Sequence, residues 1–534
     1  MSIKSFIEDL FSENKNYIRK QDIHRDMKDL PLGIQDFKKI RKKDYLYVDK
    51  TEHLYKLIDQ GEVYFLSRPR RFGKSLTVST LEYLFKGEKE LFKGTYIYDK
   101  HDFEEHPVIN LSMDGRSTDS TKKFEESLRL TLEKLYEKYD LEMRTDMLPE
   151  AFEELIEKIA NKYKDVVVLI DEYDKPILDN IENPEKADKI REILRSFYSI
   201  LKKVDPYLKF IFITGITKAS KVSIFSDLNQ LTDLTLNSKM SDILGYTKED
   251  IAEFFPERIG KAKKELGLTE EEFWSKLQEW YNGYSWDGED FVYNPYSILS
   301  FFFNNEFDNY WFESGSPSFI VKYAKKNELE EEDFQNVKVT QSFHSKYDIE
   351  NAPSYSFLWQ AGYLTIKKVT RNSYILDYPN KEVDKSMKEL LLGAVYDLDD
   401  KEIGNIEDDL FEYYDNNDID GMIEEFKKAY SAIPHQKHVK KEGFYDSIAY
   451  TFLLTAGIDA RAEESTSRGD SDIVLEKDAR VFIFEFKNDK PEVGIEQIKE
   501  KGYAEKYDKK KFFVGIELDF DERNIVDYKV EEQY

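Results

Sequence analysis

Short apolar runs alternate with amphipathic stretches over residues 45–240. Val63–Leu66 (VYFL), Pro107–Leu111 (PVINL), Val166–Ile170 (VVVLI), Lys209–Thr214 (KFIFIT) and Leu231–Leu236 each have the length of a strand. Helical periodicity fills the gaps, near 51–59 with Thr51 as its cap, after Gly73, near 120–138 and over 149–163. Five apolar residues in a row at 166–170 suit a strand buried on both faces. This alternation predicts an α/β domain, a parallel sheet with helices on both faces.

From about 245 the pattern turns helical and aromatic, with Phe254, Phe255, Phe273, Trp274, Trp280, Tyr281, Tyr284 and Trp286. These rings are expected to form core, the alternative being a stacking surface for bases. Phe357–Ile366 followed by Tyr374–Pro379 has the outline of a winged helix. Residues 402–425 hold ten acidic side chains and no lysine or arginine, with Leu410, Tyr413 and Met422 interleaved. A helical connector with a solvated acidic face accounts for that. Near the end, Asp472–Leu475 and Val481–Lys487 alternate across a charged turn at 476–480 and predict a β-hairpin.

Candidate chemistry sits at two points of this pattern. The first strand runs through a basic loop into Gly73-Lys74-Ser75 and a helix carrying Leu76, Leu81 and Leu84. Strand, loop, Gly-Lys-Ser, helix is the order of a phosphate-binding loop: glycine admits the phosphates, and the helix start offers free N–H groups. Lys74 is expected on the β- and γ-phosphates and Ser75 on Mg²⁺. Gly73 and Leu76 complete the loop. Arg70 and Arg71 are candidates for phosphate contact, or else a solvated basic loop. Arg68 stands where the motif has its first glycine. Asp171 and Glu172 end the 166–170 strand on the edge where open α/β sheets bind ligands. Asp171 is expected to position Mg²⁺ and Glu172 to polarise water. Thr214 either senses the γ-phosphate or is simply a strand-former.

The second point is the hairpin, whose register would bring Asp472 opposite about Phe484 or Glu485. Glu485 and Lys487 are two apart and share a face. Two carboxylates and a lysine make the minimal metal-dependent nuclease arrangement, with the carboxylates on Mg²⁺ and the lysine on water. Glu442, on a preceding helix, is expected to complete the metal set, and Gln497 and Lys501 lie one turn apart on a following one. An ordinary half-buried strand is the alternative.

Composition narrows the partners. The 534-residue chain carries a net charge of −28, so any nucleic-acid contact has to come from a local basic patch. There is no cysteine, which excludes thiolate chemistry and fits a cytoplasmic setting. Neither a signal peptide nor a membrane span is expected.

With both points in view, the chain resembles bacterial AAA-ATPase-like proteins with a C-terminal PD-(D/E)XK nuclease-like domain. The resemblance runs from about Leu30 to the end, through LPLGIQDF, YVDKT, SRPRRFGKSL, LIDEYDKP, LWQAGYLTI and GDSDIVLE…IFEFK. It implies a P-loop NTPase sheet, a helical and winged-helix middle and a restriction-endonuclease-like α/β domain. It further implies that Arg68 is normal at its position. ATP at Lys74, Ser75, Asp171 and Glu172, and a nuclease-like site at Asp472, Glu485 and Lys487, follow from it. Many relatives read Gly-Arg-x-Asp before the hairpin where this chain has Gly469-Asp470-Ser471-Asp472. The expected domains are an extension (1–30), the ATPase (31–240), the middle (241–400) and the connector with the nuclease-like domain (401–534). ATP, nucleic acid (DNA before RNA) and a possible oligomer are the expected partners, either with nucleotide-gated cleavage or as a switch whose nuclease-like domain only binds.

Overall fold

The computed structural model describes residues 27–181, 183–217, 224–225, 228, 230–313, 334–343, 355–395, 398, 400–466 and 469–533, the side chains of 391, 394–395, 400 and 462–470 excepted. The expected extension therefore lies almost wholly outside the described residues. Two compact units emerge, one reaching residue 316 and taking in Asn336–Glu382, the other built chiefly from Val383–Tyr534.

In the first unit, β1 (Val63–Ser67), β2 (Val108–Ser112), β3 (Val166–Asp171), β4 (Leu208–Gly215) and β5 (Thr232–Asp233) form one parallel sheet in the order β2-β3-β4-β1-β5. Every residue of β1 and β3 is buried, as their unbroken apolar runs require. Helices α1 (Lys74–Phe85), α2 (Thr121–Lys138), α3 (Leu148–Lys162) and α4 (Pro184–Ser199) flank the sheet. Phe124, Leu128, Phe152, Leu155, Ile190 and Leu194 pack on its apolar side chains. The helix Thr51–Gln60 forms, but its first N–H is taken by the Asp49 carboxylate at 2.9 Å rather than capped by Thr51.

The aromatic middle is core. Phe255, Phe273 and Tyr281 of α5 (Glu270–Tyr281) and its neighbours, with Phe301 and Phe302 of α6 (Pro295–Asn304), enclose Leu30, Leu46 and Val48. The expected two-stranded wing forms as β7 (Thr365–Val369) and β8 (Ser373–Asp377), and β6 (Val337–Thr340) joins it on the other side of β8. Residue 337 is far from the pair in sequence, so local alternation could not announce it.

The second unit holds β9 (Ala460–Thr466), β10 (Gly469–Lys477), β11 (Arg480–Lys487), β12 (Lys510–Asp519) and β13 (Asn524–Gln533), ordered β13-β12-β11-β10-β9 and parallel only at β11–β12. Helix α7 (Glu442–Thr455) and the acidic Asp400–Asn416 and Ile419–Ala432 pack on the sheet through Phe452, Leu410 and Phe426. Helix α8 (Pro491–Lys501) lies on β11 and β12 through Ile495 and Ile498. Among the described residues no helix is long and apolar enough to cross a membrane.

Candidate functional site

Gly73 closes the loop after β1 with φ +92°, a conformation that disfavours any side chain. Helix α1 starts at Lys74, which is 6% exposed and donates from Nζ to the carbonyls of Arg68 (2.9 Å) and Pro69 (2.8 Å). Burial pushes the Lys74 ammonium pKa down, opposed by Asp171, Glu172 and Asp174. The loop thus holds its lysine by its own carbonyls, aimed at the end of β3.

Arg68 does not face the phosphate site. Its guanidinium is wholly buried, donates to the carbonyls of Ser67 (2.9 Å), Thr235 (3.0 Å) and Met240 (3.2 Å), and lies 3.8 Å from the Trp286 ring centre. Burial lowers its pKa to about 9, with Asp233 pulling it back. An arginine replaces the glycine here because the side chain leaves the loop and braces it from behind.

At the end of β3, Asp171 accepts a 2.6 Å hydrogen bond from the Thr214 hydroxyl. Thr214 is fully buried, so it acts on the site through Asp171. Glu172 has φ +53° and a pKa raised by burial, against the pull of Lys74. Asp174 is wholly buried and takes the N–H groups of Ile216 (3.1 Å) and Thr217 (2.5 Å) and the Thr217 hydroxyl (2.7 Å). It stitches the turn after β3 to the end of β4, a role visible only once the two strands pair.

These pieces surround a cavity of about 400 Å³. Arg70, Arg71, Gly73, Lys74, Ser75, Leu76 and Glu172 line it, together with Lys50, Asp114 and Lys175. Pro31, Ile34, Leu46, Val48, Tyr246 and Leu299 add apolar wall. That volume and mixed lining suit a nucleotide, with polar groups for its phosphates and apolar ones for its base. Asp171 and Thr214 stand behind the lining. The Arg71 side chain lies over the Tyr296 ring at 4.9 Å, and the Arg70 carbonyl accepts from the Trp311 indole at 3.1 Å.

In the second unit, the pairing of Ile473 with Phe484 puts Asp472 opposite Glu485, on one face of the sheet. An Asp472 carboxylate oxygen accepts the Phe486 N–H at 2.7 Å. Glu485 is fully buried; Lys487 Nζ lies 3.0 Å from one of its oxygens, which also accepts from Gln497, while the other oxygen has no hydrogen-bond partner. Burial and the Asp472 charge raise the Glu485 pKa.

Glu442 departs from its expected place as a third metal ligand. It accepts the Asn488 N–H at 2.8 Å and holds Lys487 at 3.4 Å, so it positions the lysine. Among the described residues no group of three or more histidine or acidic side chains is set to hold a metal. The unpartnered, buried Glu485 oxygen beside Asp472 is nonetheless the kind of donor a divalent cation takes, so this pair fits Mg²⁺. The Asp470 side chain lies outside those described.

The family described as predicted AAA-ATPase matches residues 31–225, and the PD-(D/E)XK nuclease superfamily matches 440–528. A protein of Azotobacter chroococcum mcd 1, described as an uncharacterized protein in the vnfD 5′ region, is 38% identical over 523 residues, 94% of this chain and 99% of that one. The chain belongs to the AAA-ATPase-like family with a C-terminal PD-(D/E)XK domain. The AAA-ATPase-like match spans the parallel sheet through β4 and the three lysines of the cavity, Lys50, Lys74 and Lys175; the PD-(D/E)XK match spans Glu442, Asp472, Glu485 and Lys487.

Proposed function

We propose that this AAA-ATPase-like protein binds and hydrolyses ATP between the phosphate loop and the β3 carboxylates, and that its nucleotide state gates a Mg²⁺-dependent nuclease in the C-terminal unit. The observation that carries the first half is the convergence of Lys74, Ser75 and Glu172 on one cavity whose wall also carries apolar side chains. Lys74 binds β- and γ-phosphate oxygens. Ser75 and Asp171, the latter oriented by Thr214, are the residues to hold Mg²⁺, which supplies charge neutralisation on the phosphates. Glu172, with its pKa raised by burial, accepts the proton of the attacking water.

For the second half, support comes from Asp472 and Glu485 facing each other with Lys487 at 3.0 Å. Asp472 and Glu485 are the residues to hold Mg²⁺ there, and Lys487 orients water towards a phosphodiester. The substrate is nucleic acid, DNA before RNA. The ATPase domain is assigned to 31–240, the helical middle to 241–400 and the nuclease-like domain to 401–534. A cytoplasmic location and assembly of several copies belong to the same reading.

ATP turnover and DNA cleavage by the wild type, Lys74→Ala and Asp472→Ala test both halves. Loss of nucleotide binding in Lys74→Ala and of cleavage in Asp472→Ala is expected. Unchanged binding and turnover in the first variant refutes the nucleotide site; unchanged cleavage in the second refutes the nuclease site. A second reading, a nucleotide switch whose C-terminal unit only binds a partner, is favoured by the net charge of −28, which repels nucleic acid. Tight ATP binding with no Mg²⁺ affinity lost between wild type and Asp472→Ala would select it.

A further inference from the structure

The cavity wall carries two lysines outside the phosphate loop, Lys50, which Asp250 holds at 2.6 Å, and Lys175. Lys175 opens the short turn Lys175–Leu178 after the β3 carboxylates, and its N–H returns to the Glu172 carbonyl at 3.0 Å. Its side chain lines the cavity beside Glu172 and Asp114. Two long contacts hold the ammonium, 3.7 Å to Asp114 and 3.3 Å to Asp179, all three groups being partly exposed. Such pairs are weak, so a multiply charged anion in the cavity outcompetes them. Glu172 lies within the electrostatic reach of both Lys74 and Lys175. Of the loop arginines, Arg68 is committed to the core, while Arg71 lies over the Tyr296 ring on the cavity wall.

Resting on the ATPase reading of this site, we propose that Lys175 is a cation supplied by the chain to itself that neutralises charge developing on the γ-phosphate, so that one copy completes its own hydrolytic site. The water oxygen bonds to the γ-phosphorus as the bond to the β,γ-bridging oxygen breaks. The electron pair of that bond stays on ADP, and the water proton passes to Glu172 and then to the released phosphate. Asp114 and Asp179 hold Lys175 aside until the phosphate draws it in.

The test uses the full chain with ATP and Mg²⁺, comparing the wild type with Lys175→Ala and Lys175→Arg. Lys175→Ala is expected to lower kcat by about 10²–10³-fold, somewhat less than the loss of an arginine finger. ADP affinity should change little, trapping of the ADP–vanadate complex should be lost, and Lys175→Arg should restore most of both. Wild-type turnover per chain should be constant on dilution. ADP binding also reports that the variant is folded. Wild-type kcat or vanadate trapping in Lys175→Ala, a loss confined to affinity, or wild-type turnover that falls on dilution overturns the inference. A wild type that neither binds nor hydrolyses ATP instead removes the ATPase reading itself.

Discussion

Glu382 is a wholly buried carboxyl in the first unit, reached by the Trp311 N–H at 2.5 Å and the Ser297 hydroxyl at 2.7 Å. Burial pushes its pKa from an ordinary 4.5 up to about 8, the two donors offsetting only part of that. In the unfolded chain the group ionises near 4.5; between these values the folded protein keeps a proton that the unfolded chain has released. Stability therefore falls as pH rises through this window, by at most about 1.4 kcal/mol per pH unit, and the cost is complete above about 8. The full rise corresponds to about 5 kcal/mol. Glu382→Gln keeps the shape and an acceptor oxygen but cannot ionise. The variant should equal the wild type near pH 5 and exceed it by about 3–5 kcal/mol at pH 9. Trp274, Trp280, Trp286, Trp311 and Trp359, the five tryptophans of the chain, all belong to this unit. Urea unfolding followed by tryptophan fluorescence from pH 5 to 9 thus reads the right part of the molecule. A difference between variant and wild type that does not change with pH refutes the reasoning.

Two further outcomes are expected from the same measurement. Arg68→Gly restores the motif glycine yet should cost about 3–5 kcal/mol, because three buried carbonyls lose their donor and Trp286 its cation; a neutral or stabilising effect would show that the brace contributes nothing. Gly215→Ala should cost about 2–3 kcal/mol, since a Cβ there would lie 2.5 Å from the Tyr173 ring and 2.7 Å from the Asp174 carboxylate. Stability within about 0.5 kcal/mol of the wild type would mean that Tyr173 and Asp174 are not held as described.

Much of the site was legible before any coordinates. The strands ending at Ser67 and Asp171 follow from apolar runs, the glycine before Lys74 from the Gly-Lys-Ser order, and the hairpin from a period of two that left Phe484 or Glu485 opposite Asp472. Such patterns are local: a strand buried on both faces is apolar throughout, whatever it pairs with. The partners of Arg68, Asp174 and Glu442 were not legible. Arg68 meets partners 167 and 172 residues away, and Asp174 meets Thr217 across two paired strands. Glu442 reads alike as a metal ligand or as a lysine clamp until Lys487, 45 residues on, is seen beside it.

By itself the amino-acid order determined which segments become strands and helices, the conformation required at Gly73 and the acids that end the two key strands. Tertiary structure alone decided that β4 lies between β3 and β1, so that Thr214 meets Asp171, and that the cavity closes against Leu46, Tyr246 and Leu299. The physical reason is range. Backbone preference and burial pattern act over a few residues, whereas a charged side chain takes its role from whatever desolvates and pairs it, and those groups arrive from anywhere along the chain.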